Sequence, residues 1–177
     1  MESEIEDDGR LFPDVGAQND DSRPIRVRFF NNCPNTVDVF WLSPQKEPTK
    51  YGTLAPRRWL DIQTYKNHPW VARRSSDGCK VMMNKQPIFW PEPMPPNVVV
   101  RATCIMKINA QSLREIAERS LIQYQPSFIN RHIQNIPRDL QFEVQQLMAV
   151  KEEYNEIVCR AIPPPPPRRP QPPRQPQ

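Results

Sequence analysis

The sequence predicts an α+β protein, with an N-terminal β-sandwich of about seven strands over residues 24–108 and a small all-helical domain over residues 109–162. Three observations carry this expectation. Up to Ile108 the chain is built of short runs rich in β-branched and aromatic residues, separated by Pro, Asn, Ser and Gly breakers. Beyond Ile108 the apolar spacing lengthens from two residues to about three and a half, the period of a helix. Both ends differ in composition from the middle, so the 177 residues hold one domain or two small ones between two tails.

The first tail is acidic. Within residues 1–24, Glu2, Glu4, Glu6, Asp7, Asp8, Asp14, Asp20 and Asp21 face only Arg10 and Arg23, a net charge of −6. Few apolar groups and much like charge predict disorder over residues 1–23. The strands come next. Arg26-Val27-Arg28-Phe29-Phe30 and Val37-Asp38-Val39-Phe40-Trp41-Leu42 flank the turn-forming Asn31-Asn32-Cys33-Pro34-Asn35, which predicts a hairpin. Further strands are expected at Trp59–Thr64, Trp70–Arg73, Val81–Met83, Pro87–Trp90 and Val98–Ile108. By the two-residue period Val37, Val39 and Trp41 share one face of their strand and Phe40 and Leu42 the other. Both faces are apolar, so one is core and the other is either covered or a binding surface.

In the helical part, Leu113, Ile116, Ala117 and Leu121 form an i, i+3, i+4, i+8 stripe, and Ser112 with Glu115 makes an S-x-x-E capping box at its start. Pro126-Ser127 interrupts this helix and Phe128–Gln134 forms a second. Pro137 opens a third, carrying Leu140, Val144, Leu147, Met148, Tyr154 and Val158. So small a helical domain cannot bury its own stripes and calls for a partner. Residues 163–177 hold nine of the 23 prolines, beginning with Pro163 to Pro167, and predict a disordered tail of polyproline II character. Pro164, Pro167 and Arg169 also fit P-x-x-P-x-R, the pattern of an SH3-type ligand.

Charge and composition narrow the function. The chain carries +4; with −6 in the first tail and +3 in the last, the middle carries +7 and favours an acidic partner. Its cations are spread out and match no nucleic-acid motif, which points to an acidic peptide and away from nucleic acid. The acidic N-terminus does not resemble a secretory leader and no run has the length of a membrane span, so the expectation is a soluble intracellular protein. Cys33, Cys79, Cys104 and Cys159 form no C-x-x-C pair; buried free thiols are expected, with neither a metal site nor a cofactor. With four glycines, two histidines and no phosphate loop or paired acids, an enzyme is not expected.

Six residues stand out: Trp41, Tyr51, Thr64, Tyr65, His68 and Trp70. By type alone the aromatics read as sandwich core and His68 as a loop histidine. As a set they read as an aromatic cage with polar groups at its floor, whose flat faces suit a ring-shaped, weakly polar ligand. The motifs Trp41-Leu42, Glu47-Pro48, Tyr51-x-Thr53-Leu54 and Thr64-Tyr65-x-x-His68-x-Trp70 resemble, in order and spacing, those of the von Hippel-Lindau tumour suppressor family. The resemblance extends more weakly over residues 24–147.

This resemblance implies that the cage binds a 4-hydroxyproline in the alpha subunit of hypoxia-inducible factor. Trp41, Tyr65 and Trp70 would wall the ring, Thr64 and His68 would bond its hydroxyl, and Tyr51 would bond the ligand backbone. The family usually has Ser where Thr64 stands. Two buried polar groups left unpaired by unmodified proline, at about 1–3 kcal/mol each, would give the selectivity that an apolar pocket lacks. Ser112, Leu113, Ala117 and Leu121 resemble a BC box, the elongin C docking motif, with Ala117 where Cys is expected. Ile136, Pro137, Leu140 and Val144 resemble a cullin box. The resemblance thus implies a non-catalytic adaptor of a cullin-RING ubiquitin ligase, cytoplasmic and nuclear, partnered by elongin C with elongin B, cullin two and its RING subunit. A proline-rich scaffold acting through residues 163–177, or a peptide-binding sandwich without a ligase role, are the competing expectations.

Overall fold

Strand β1 (Ile25–Asn31) buries Ile25, Val27 and Phe29 while Arg26 is exposed, the alternation of a sheet with one face on a core. The other strands are β2 (Val37–Leu42), β3 (Pro48–Leu54), β4 (Trp59–Thr64), β5 (Trp70–Arg74), β6 (Lys80–Met83) and β7 (Ala102–Lys107). The computed structural model describes residues 10–18, 23–93, 95 and 101–160. The strand order is β3-β2-β5-β6-β7-β1-β4, with β1 and β7 parallel and the remaining pairs antiparallel. Strand β6 pairs with both β5 and β7 and so joins two half-sheets. Their inner faces meet in one core of Val27, Phe29, Val37, Val39, Trp70 and Met106 with their neighbours.

The expected hairpin of β1 and β2 does not form. Strand β1 pairs with β4 and β7, and β2 with β3 and β5. Each strand has an apolar inner face, and stacking the faces buries both, whereas pairing the strands would set both on one side. The turn between them is held by Asn31, whose Nδ2 donates to the carbonyls of Asn35 at 2.9 Å and Leu54 at 2.8 Å. Residues Pro87–Trp90 are not a strand either; Phe89 alone bridges to Trp70. The seventh strand is instead β3, whose Pro48 and Gly52 disguise it and are tolerated because β3 is an edge that pairs with β2 alone. The last strand runs over Ala102–Lys107, shorter than expected, and residues 98–100 lie outside the described residues.

Three helices follow: α1 (Leu113–Tyr124), α2 (Pro126–His132) and α3 (Arg138–Arg160), with a 3-10 turn at Ile133–Asn135 before α3. The capping box at α1 is complete, with Ser112 and Glu115 each accepting from the other's backbone N–H. Ile122, Ile129 and Val144 form a small helical core. The far half of α3 leaves that core and covers the outer face of β2 and β5, where Tyr154, Val150, Ile157 and Val158 pack with Phe40, Leu42 and Val71. The second apolar face of β2 is therefore covered by the chain itself.

Part of the expected acidic tail shares in that cover. Residues Leu11 and Ala17 are buried, and Phe12 and Val15 pack beside them. The buried Arg73 donates from Nε to the Leu11 carbonyl at 2.9 Å and lies over the Phe12 ring at 5.2 Å. Residues 10–18 are thus an ordered strap, because their apolar side chains find a greasy sheet face that no local pattern reveals. Cys33, Cys79 and Cys104 are buried thiols as expected, and burial pushes the Cys104 thiol up to about 12. Cys159 is exposed, on the solvent side of α3. The proline-rich residues 163–177 lie outside the described residues.

Candidate functional site

The six cage residues come from three stretches of the chain: Trp41 near the end of β2, Tyr51 on β3, and Thr64 through Trp70 spanning the end of β4, its turn and the start of β5. Trp41 and Trp70 are direct partners across the β2–β5 ladder. Tyr51 sits at a bulge: Val39 pairs with Gly52 and Phe40 with Lys50, so Tyr51 is the extra residue, and a bulge re-aims a side chain. The turn Tyr65-Lys66-Asn67-His68 closes with a His68 N–H to Tyr65 carbonyl bond of 3.2 Å, which sets both side chains on one loop.

The rings form an unbroken series. Tyr65 meets His68 at 5.1 Å between centroids, His68 meets Trp41 at 5.4 Å, Trp41 meets Tyr51 at 6.4 Å and Tyr51 meets Trp70 at 4.8 Å. The last two contacts are edge-to-face at 79° and 75°, the arrangement that aromatic quadrupoles favour. Beneath them Trp70 Nε1 donates to Thr64 Oγ1 at 2.9 Å, with both residues 1% exposed. Thr64 keeps its own O–H donor and a second lone pair after accepting this bond. Trp70 also packs on Phe29 at 5.2 Å, so it is both sandwich core and cage floor. Burial pushes the Tyr51 phenol up, leaving it a hydrogen-bond donor at neutral pH. Trp41 Nε1 is buried with no acceptor among the described residues.

The helical candidates divide. Leu113 is 86% exposed and Ala117 is exposed beside it, with the large apolar residues Ile116 and Tyr124 exposed on the same helix. Leu121 is half-buried against the helical core, and Ser112 is the helix cap. Of the cullin-box set, Pro137 is exposed and Ile136 and Leu140 are half-buried, but Val144 is 2% exposed inside the helical core. In this chain Val144 therefore holds α3 to α1 and α2, with Ile122 and Ile129 packed against it.

Two polar contacts that sequence reading missed tie the parts together. The Tyr154 hydroxyl donates to the buried Asp38 carboxylate, which also takes Thr53 Oγ1 at 2.6 Å and Lys50 Nζ at 3.0 Å. Gly78, at φ +71, lies under the Tyr154 ring, where a Cβ would come within 2.9 Å. On the other side Asp77 pairs with Arg74 at 2.6 Å and with Arg119 of α1 at 3.0 Å. The one sequence signal for the first contact was an aspartate within an otherwise apolar strand.

Comparison with known proteins agrees with this architecture. Residues 18–95 match the family model described as the VHL beta domain, a span that includes every cage residue. Protein Vhl of Drosophila melanogaster is 26% identical over 148 residues, covering 75% of this chain and 83% of that protein. With the sandwich, the helices after it and these matches in hand, residues 18–95 are identified as a VHL beta domain, and three quarters of the chain is similar to the Drosophila protein.

Proposed function

We propose that the chain is the substrate-recognition subunit of a cullin-RING ubiquitin ligase and that its cage binds 4-hydroxyproline in the alpha subunit of hypoxia-inducible factor. A substrate-recognition role in general is supported by the likeness of residues 18–95 to the VHL beta domain and of the chain to Protein Vhl. The observation that carries the finer reading is the unbroken series of five rings above the buried Thr64 hydroxyl. A pyrrolidine ring fits between the flat faces, and its hydroxyl meets the remaining O–H of Thr64 and a ring nitrogen of His68. Unmodified proline offers no acceptor to the desolvated Thr64 O–H and no hydroxyl to His68, which opposes its binding.

The ligase half rests on α1. A leucine 86% exposed at the second BC-box position, beside exposed Ile116 and Tyr124, is apolar surface that a monomer does not ordinarily leave uncovered. Elongin C, itself bound to elongin B, is the proposed cover, with cullin two and its RING subunit recruited beside it. Ubiquitin transfer then belongs to the RING subunit and its conjugating enzyme, while this chain supplies proximity. A cytoplasmic and nuclear location goes with this role and is checked by imaging the tagged chain.

The test is a calorimetric titration with two peptides from the factor's degradation segment, one carrying proline and one 4-hydroxyproline. Tighter binding of the hydroxylated peptide is expected, and equal affinity refutes the hydroxyproline reading. His68→Ala is expected to weaken the hydroxylated peptide alone.

A further inference from the structure

We propose that the strap formed by residues 10–18 is a positioning element of the cage, holding the Tyr65–His68 turn in place so that His68 faces the ligand hydroxyl; this rests on the hydroxyproline reading above. Its backbone is woven into that of the site. The Ala17 N–H donates to the Leu42 carbonyl at 3.0 Å, and the Gln18 N–H to the Asn67 carbonyl at 3.1 Å. Leu42 in turn donates to the Pro69 carbonyl at 3.1 Å. The segment 67–69 is therefore clasped twice, by β2 at Pro69 and by the strap at Asn67. His68 lies between the two clasps.

The strap is fastened over its length, so the Gln18 bond is not a loose end. Leu11 is fixed by the Arg73 guanidinium, Leu11 and Ala17 are buried, and Asp14 pairs with Lys46 at 2.9 Å. At Gly16 the strap passes so close to the end of β2 that a Cβ would lie 2.5 Å from the Ser43 carbonyl oxygen. Only glycine allows this approach, and the approach is what brings Ala17 and Gln18 into bonding range. A selective cage needs its polar group fixed before the ligand arrives, because a mobile imidazole spends binding energy on its own ordering. The strap supplies that fixing at Asn67, on the residue just before His68.

Gly16→Ala tests this. Affinities for the proline and 4-hydroxyproline peptides are measured together with amide hydrogen exchange of Asn67 and His68 in the free full chain. The expected result is faster exchange at His68 and a fall of about tenfold in the ratio of the two affinities, the size of one hydrogen bond, with near-ultraviolet circular dichroism unchanged. A strap that served stability alone would lower the unfolding midpoint but leave that ratio as it is, and this outcome overturns the proposal. If Gly16→Ala does not fold, Gln18→Pro removes the Gln18 N–H that reaches the Asn67 carbonyl and is judged by the same ratio. Should the natural chain itself not prefer the hydroxylated peptide, the hydroxyproline reading fails, and the exchange rate at His68 alone decides whether the strap holds the turn.

Discussion

Replacing Thr64 by valine keeps the shape of the side chain and removes its hydroxyl. In the folded chain that hydroxyl accepts the Trp70 Nε1–H at 2.9 Å, with both residues 1% exposed, so the substitution leaves an indole donor buried with no partner. The cost of such an orphaned donor is about 1–3 kcal/mol. For a domain of this size each kcal/mol moves the midpoint by about 2–4 °C, so a loss near 2 kcal/mol lowers Tm by about 4–8 °C. Thr64→Ser keeps the acceptor and removes one buried methyl, at about 0.8 kcal/mol, so its midpoint falls about 2–3 °C. Urea unfolding followed by tryptophan fluorescence separates the two, because both leave the same rings in place. The hydroxylated peptide adds a second reading: Thr64→Ser retains its binding and Thr64→Val loses much of it. If Thr64→Val unfolds at the wild-type midpoint, the Thr64 hydroxyl does not hold the floor of the cage and the account of its construction is wrong.

Leu113→Asp places a charge on a residue 86% exposed, so the chain stays folded and binds the hydroxylated peptide as before, but loses elongin C in a pull-down; retention of elongin C rejects the docking role. Tyr154→Phe deletes a bond to the buried Asp38 and costs about 2 kcal/mol in urea unfolding, a charge-assisted bond being worth about 1.5–3 kcal/mol; a change under about 0.5 kcal/mol shows that Asp38 is satisfied by Thr53 and Lys50 alone. Burial opposes the charge on Asp77, but the Arg74 guanidinium holds its carboxyl below the usual range. Because the folded value is depressed, this pair stabilises fully above the ordinary carboxylate range near about pH 4 and its contribution is lost as pH falls through the folded value. Asp77→Asn therefore flattens the acid limb of the stability curve below about pH 4, and an unchanged limb refutes the assignment.

The strands β1 and β2 with their composition, the two apolar faces of β2, the capping box at Ser112 and the breaks at Pro126 and Pro137 were legible in the sequence because each is decided within a few residues of itself. The gathering of Trp41, Tyr51, Thr64, Tyr65, His68 and Trp70 was expected from the resemblance of their motifs, even where the strand beneath Tyr51 did not announce itself. Pairing was not legible, since the apolar faces of β1 and β2 allow either a hairpin or two stacked half-sheets, and the choice depends on β4, β5 and β7 arriving from elsewhere in the chain. The same holds for Val144, whose place on a helical stripe does not say whether a partner or α2 will cover it. Asp38 and Tyr154 are 116 residues apart, and the strap at residues 10–18 reads as an acidic tail until the outer face of β2 and β5 is there to receive Leu11, Phe12 and Val15. The tertiary structure alone decided which apolar and polar groups meet, because burial is a property of the assembled faces and no window of sequence contains both sides of a contact.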